Sequence, residues 1–229
     1  MSLAEGKAMK PMKATIEINE TDLADAQAAV LRWQDFPASF IQHHGEACCH
    51  IAREWMVSMD FSQLNAGNML TGPRWLRRKF QWGPTRWPLH WCEAVEQKKL
   101  DCGALAALAL ELFNARGVKA YPAQFIQQYA EQAARHWHRS WTEDEADSHW
   151  IMDELIYHEG CAVVVRDREI KLWDPTASWW VNPKQFGGYG AVLLARIFDT
   201  HSSESFKWGT HTIRPNRWEK IERARGEFA

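Results

Sequence analysis

An α+β fold is predicted for this 229-residue chain from three observations. Helical patterning dominates its N-terminal part, a strongly apolar helix begins at Asp101 or Cys102, and mostly strand-like runs follow, among them a clear hairpin. At about 150 residues per domain the length allows one or two units. No repeat or low-complexity tract divides it, so residues 14–229 are read as a single domain and residues 1–13 as a flexible tail. A chain of this length can bury enough surface to fold without disulfides or metal.

Taken in order, Thr15 to Ile18 is a short strand candidate, and Thr21-Asp22 can cap a helix from about Leu23 to Trp33. A second helix is expected from Pro37 or Ser39 to about Met59. Asn65 to Trp91 holds Gly67, Gly72, Pro73, Gly83, Pro84 and Pro88 and reads as irregular. In the central helix Leu105, Leu108, Ala109, Leu112 and Phe113 form one apolar stripe, and Gly117 is its stop signal. Val118 to Ile126 then reads as a strand, Gln127 to Trp141 as a helix, and Glu143 to Asp147 as an acidic, solvated loop. Cys161 to Val165 and Ile170 to Trp173 are β-runs joined by a polar turn and ended by Asp174-Pro175. Ala191 to Phe198 fits a strand or a short buried helix equally well, because both have the same apolar letters.

Charge and composition exclude some functions. With 27 Lys and Arg against 29 Asp and Glu, the chain is not a whole-surface polyanion binder. Its longest apolar stretch, Gly103 to Leu110, is far too short to span a bilayer. Met1 to Lys13 carries Lys7, Lys10 and Lys13 without an apolar core, so no secretory signal is expected and the cytoplasm is the expected location. The five cysteines are accordingly read as reduced thiols. The unusual count is tryptophan, with 14 residues.

Cys102 stands at the start of a helix, where unpaired N–H groups and the helix dipole favour an anion and are expected to lower a thiol pKa. The same N–H groups suit a developing oxyanion. A nucleophilic thiol needs an imidazole base, itself held by a carboxylate. His158 lies just before the first β-run and Asp174 ends the second. With a three-residue loop, Arg166 to Arg168, Asp174 faces Gly160 and lies diagonal to His158 on one face of the sheet. A four-residue loop would reverse that parity, and a bulge at Gly160 would restore it.

Leu100-Asp101-Cys102-Gly103-Ala104-Leu105-Ala106, continuing through Gly117-Val118, and Leu172-Trp173-Asp174-Pro175-Thr176 resemble the transglutaminase-like superfamily of papain-like cysteine enzymes. The first segment looks like that family's cysteine helix and the second like its strand ending in Asp-Pro-Thr; the resemblance covers about Lys98 to Trp180. It implies a papain-like core with N-terminal helices and a cysteine-headed central helix packed on an antiparallel sheet. It also implies Cys102 as nucleophile, a histidine as base and Asp174 as the group that orients it. His149-Trp150-Ile151 fits the family's wording around the base better, whereas His158 has the spacing that a short hairpin closes, sixteen residues before Asp174. Spacing favours His158, with His149 as the alternative base. The interval to the cysteine is long for such a domain, and 127–153 reads as an insertion over the cleft.

Weaker signals lie elsewhere in the chain. His43, His44, Cys48, Cys49 and His50 crowd one predicted helix, but they lack a separated second pair of ligands, so neither a metal nor a cofactor is expected. Arg74, Arg77, Arg78, Lys79 and Arg86 interleave with Trp75, Phe80, Trp82 and Trp87, a pattern that suits single-stranded nucleic acid but equally a cleft wall. With net charge near zero the cleft wall is preferred, and nucleic acid and membrane are not expected partners. Trp87 or Trp91 could offer an indole N–H to the oxyanion, with His90 competing for the space. Trp87, Trp91, Trp150 and Trp173 are the candidate substrate-cleft residues. Cys48, Cys49, Cys92 and Cys161 are read as structural. The expected function is acyl transfer from a small-molecule or peptide donor to water or an amine through a Cys102 thioester. The alternative is an inactive binding module that uses the Trp- and Arg-rich surface to hold a peptide or nucleic acid.

Overall fold

The computed structural model describes residues 24, 47–61, 79–83, 85, 89–128, 150–152, 155–176, 179–181, 191–199 and 203–221. These residues form a mixed α+β structure. Helix α1 (Ala47–Phe61) precedes strand β1 (Gln81–Trp82), the short helix α2 (Trp91–Glu96), strand β2 (Lys99–Leu100) and the central helix α3 (Cys102–Ala115). Then follow β3 (Ala120–Gln128), β4 (Trp150–Met152), β5 (Leu155–Arg166), β6 (Glu169–Asp174), β7 (Trp179–Val181) and β8 (Ala191–Ile197). Strands β9 (Phe206–Trp208), β10 (His211–Ile213) and β11 (Glu219–Lys220) complete the described elements.

Among the described residues one sheet has the order β10-β9-β6-β5-β3-β8-β11, with β4 added to β5 and β7 to β6. Its pairings are antiparallel except that of β6 with β9, and β1 and β2 form a separate parallel pair. Strand alternation divides the sheet's side chains between two cores. On one face Cys161, Val163 and Trp173 pack with Leu105, Leu108, Ala109, Leu112 and Phe113 of α3. On the other, Phe125, Ala162, Ile170 and Leu172 join Ile197, Phe206 and Ile213. Helix α3 is apolar almost all round because it is covered on several sides: α1 ties to it through the Arg53–Glu111 ion pair, and Leu89, Trp91 and Leu100 fill the same core.

The β5–β6 hairpin sets the site. Cys161 pairs with Trp173 and Val163 with Lys171, the register expected from the sequence, but the connection differs in detail. Arg166 pairs with Glu169 across a two-residue turn in which Asp167 has φ 46°, and the irregularity falls between Val164 and Arg166. The extra residue is therefore Val165, at the turn, and no bulge is needed at Gly160. Arg168 pins the hairpin tip by bonding the buried carboxylate of Asp199 at 3.2 Å and lying over the Phe206 ring.

Several expectations are resolved by pairing. Ala191–Ile197 is a strand because β3 supplies its hydrogen bonds on one side. The strand after α3 runs to Gln128, so Gln127 and Gln128 belong to β3 and not to a helix. Gly117 ends α3 with φ 70° and a hydrogen bond from its N–H to Asn114 O. The tail at Met1–Lys13, the Thr15–Ile18 strand, the remainder of the proposed 127–153 insertion up to His149 and nearly all of the Leu23–Trp33 helix lie outside the described residues.

Gly160 permits the close approach of β5 and β6. A Cβ there would sit 2.4 Å from the backbone oxygen of Trp173 and 2.8 Å from Phe125. Gly160→Ala is therefore expected to cost about 1–3 kcal/mol as an overpacked core site. An unchanged urea midpoint would show that the two strands do not meet this closely.

Candidate active site

Cys102 occupies the first turn of α3, whose N-cap is Asp101; the Asp101 carboxylate accepts from Ala104 N at 2.8 Å, and its own N–H donates to Thr85 Oγ1 at 2.7 Å. The helix start is thus held from both sides. Gly103 follows, and a Cβ here would lie 2.3 Å from Glu159 Oε2, so any side chain would displace that carboxyl. The N-terminus of α3 consequently rests directly on β5, and the backbone N–H of Glu159 hydrogen bonds to the Cys102 thiol.

His158 and Asp174 meet as the hairpin register requires. His158 Nε2 lies 2.9 Å from Asp174 Oδ1, and both side chains are almost wholly buried, at 4% and 3% exposure. The carboxylate is itself held, since Thr176 N and Thr176 Oγ1 donate to Asp174 Oδ1 at 2.8 and 2.7 Å. Pro175, between them, has no N–H to compete. The imidazole packs against Phe125 with ring centroids 5.4 Å apart. Alternation along β5 sends His158 towards this Phe125 face and Glu159 towards α3, so Cys102 reaches the His158 segment through the Glu159 peptide.

The electrostatics differ from expectation. The thiol of Cys102 is pushed well above its ordinary range, first by burial and then by the neighbouring carboxylates Glu159 and Asp101, with Asp174 adding to them. Only the Glu159 N–H acts in the opposite direction. Exposed helix ends lower a thiol pKa, but here 2% exposure and three nearby acids outweigh the dipole. Glu159 is also displaced, from 4.5 to about 8, mainly by burial. Tyr157 donates to Glu159 Oε1 and accepts from Gln124 Nε2 at 2.7 Å, which opposes that rise without cancelling it.

The expected aromatic cleft is not what the described rings form. Trp91 is buried in the core that surrounds α3. Trp173 is 1% exposed, edge-on to Phe113 near the far end of α3 and to Trp180. These large rings pack on apolar neighbours because that burial removes the most surface from water. Trp150 is described only as backbone paired with Ile156, and Trp87, Trp75 and His149 lie outside the described residues. His90 caps α2, its N–H and Nδ1 both at Glu93 Oε2. In the basic and aromatic segment, Phe80 is buried and Lys79 lies over Trp55, so these two serve packing.

Other residues take roles that the sequence did not signal. Glu159, Tyr157 and Gln124 form a buried polar chain beneath Cys102, drawn from β5 and β3. The Thr176 hydroxyl of the Asp-Pro-Thr segment holds the Asp174 carboxylate. Cys92 joins Cys48 and Cys49, with all three sulfurs within 4.8 Å of one another. Cys161 behaves as expected of a structural thiol, buried with Sγ 3.5 Å from Ala106 O.

Compared with known family models, characterised proteins and solved structures, the chain matches none. What fold and site define is a mixed α+β protein with a helix-initial cysteine beside a buried His–Asp pair. No helix among the described residues is long and apolar enough to cross a membrane.

The raised Glu159 carboxyl has a measurable consequence. Between pH 4.5 and about 8 the folded protein keeps a proton that the unfolded chain has released, so unfolding free energy falls as pH rises across that window. Glu159→Gln is expected to flatten this slope in urea unfolding curves at pH 5 and pH 8. Equal slopes in the two proteins would place Glu159 in contact with water.

Proposed function

We propose that the chain is a transglutaminase-like, papain-like cysteine enzyme that transfers an acyl group through a thioester on Cys102. The observation that carries this reading is the buried contact of His158 Nε2 with Asp174 Oδ1 at 2.9 Å, beside the segment that touches the thiol. Asp174 engages Nε2, which leaves Nδ1 as the nitrogen for the thiol proton. His158 is preferred to His149 as base because Asp174, clamped by Thr176, holds it.

The raised thiol pKa sets the order of events. Cys102 rests as a neutral thiol, so the imidazole acts as general base during attack and not within a preformed ion pair. Nδ1 takes the thiol proton as sulfur bonds to the acyl carbon, and the carbonyl electron pair moves to oxygen. The Cys102 N–H, in the first turn of α3, is the donor this mechanism assigns to that oxyanion. When the tetrahedral intermediate collapses, the leaving amine takes the proton from the imidazolium. Water or a second amine, deprotonated by the same nitrogen, then attacks the thioester; the C–S bond breaks and the thiol regains its proton. Proton transfer requires Sγ and Nδ1 within hydrogen-bond reach. Because His158 packs on the Phe125 side of the sheet while Glu159 faces α3, the mechanism requires the imidazole to swing past the Glu159 peptide to the thiol when substrate binds.

Intact-mass measurement after incubation with a panel of acyl donors, with and without amines, tests the proposal. Wild-type protein is expected to gain one acyl mass, lost in Cys102→Ser and slowed by about 10²-fold or more in His158→Ala. Asp174→Asn should slow acylation and also destabilise the fold by about 1–3 kcal/mol, since it weakens a buried hydrogen bond to a carboxylate. His149→Ala should acylate at the wild-type rate. Acylation that persists in Cys102→Ser, or no adduct with any donor, would favour a binding module over an enzyme.

A further inference from the structure

The three clustered thiols lie on two elements far apart in sequence. Cys48 and Cys49 are in the first turn of α1, and Cys92 is the second residue of α2. None is in a disulfide; Cys49 is buried, Cys92 half-buried and Cys48 exposed. Cys49 Sγ lies 3.7 Å from Cys92 Sγ, and no pair of the three sulfurs exceeds 4.8 Å.

We propose that Cys48, Cys49 and Cys92 form a zinc site that clamps α1 to α2. The distances are those such a site needs. Four ligands around zinc at about 2.3 Å place neighbouring sulfurs about 3.8 Å apart, so the Cys49–Cys92 edge already has the required length. The remaining edges need to shorten by about 1 Å at most, which a rotation of the exposed Cys48 side chain supplies. Its exposure also provides an entry path and leaves the fourth position open to water.

The donor set selects the ion. Three thiolates exclude magnesium and calcium, which demand oxygen, and match a soft, thiophilic cation. Binding replaces the three thiol protons, which are released to solvent as the S–Zn bonds form. The sequence offered no separated second pair of ligands; α2 brings one separated ligand, Cys92, to Cys48 and Cys49. The mechanical consequence is local. Helix α2 has only six residues and leads through β2 into Asp101 and Cys102, so a metal at Cys92 fixes the segment that enters the central helix. This proposal is independent of any reaction at Cys102.

The test uses the full chain, reduced and stripped with chelator, titrated with cobalt(II) as a spectroscopic stand-in and then with zinc. One equivalent of cobalt should produce an intense near-ultraviolet thiolate-to-metal band with tetrahedral visible bands, and zinc should bleach both. Zinc should also raise the thermal midpoint of the wild-type protein. Cys92→Ser and Cys48→Ser should each weaken binding by more than about 100-fold, since each removes a direct ligand. Cys102→Ser should bind as wild type. Cys48→Ser alters an exposed side chain, so it remains informative even if Cys92→Ser fails to fold. No charge-transfer band, an unchanged band in Cys48→Ser, or binding of copper(I) without cobalt or zinc would each overturn the zinc assignment.

Discussion

The pairing of β5 with β6 is the constraint on which the site depends, because side chains on adjacent strands alternate faces with a period of two. With Cys161 opposite Trp173, His158 and Asp174 fall on one face and Glu159 and Trp173 on the other. A slip of one residue would send the Asp174 carboxylate into the apolar core beneath α3 and leave the imidazole without a partner, both costly in a buried place. The register is held by several independent features. Gly160 allows the two backbones to meet, Val165 absorbs the extra residue at the turn, and Arg168 ties the tip to Asp199. Around His158 and Asp174 both faces of the hairpin are buried, so the alternative register has no solvent face to offer there.

A second constraint follows from crowding charge into that interior. Asp101, Glu159 and Asp174 all act on the Cys102 thiol, and each is almost inaccessible to water. The interior reduces this repulsion by retaining protons. Glu159 stays largely protonated at neutral pH, and Tyr157, itself raised by burial and by Glu159, remains a donor. The helix dipole, which in isolation favours a thiolate, is the smaller effect once solvent is excluded. In the proposed enzyme, this electrostatic balance makes the imidazole a base acting during the bond-forming step.

The tryptophans show how composition can mislead about position. Several stand near the proposed chemistry in sequence, yet Trp91 and Trp173 are packed around α3. Proximity along the chain to a reactive residue says little about which way a strand or helix turns its side chain. Trp173 illustrates this, for it immediately precedes Asp174 but faces the opposite side of the sheet.

What the sequence by itself determined is what depends on neighbours a few residues apart. The α+β order, the start of the central helix at Asp101-Cys102, its stop at Gly117 and the pairing of His158 with Asp174 all arise from local rules of capping, helical period and strand alternation. What only the tertiary structure decided involves groups brought together across long loops. The strand state of Ala191–Ile197 needed β3 as its hydrogen-bonding partner, and the thiol pKa of Cys102 needed the burial and the carboxylates around it. The meeting of Cys92 with Cys48 and Cys49 needed the docking of α2 on α1. The physical reason is common to all three: hydrogen bonding, solvent exclusion and side-chain proximity between distant segments exist only after those segments have packed.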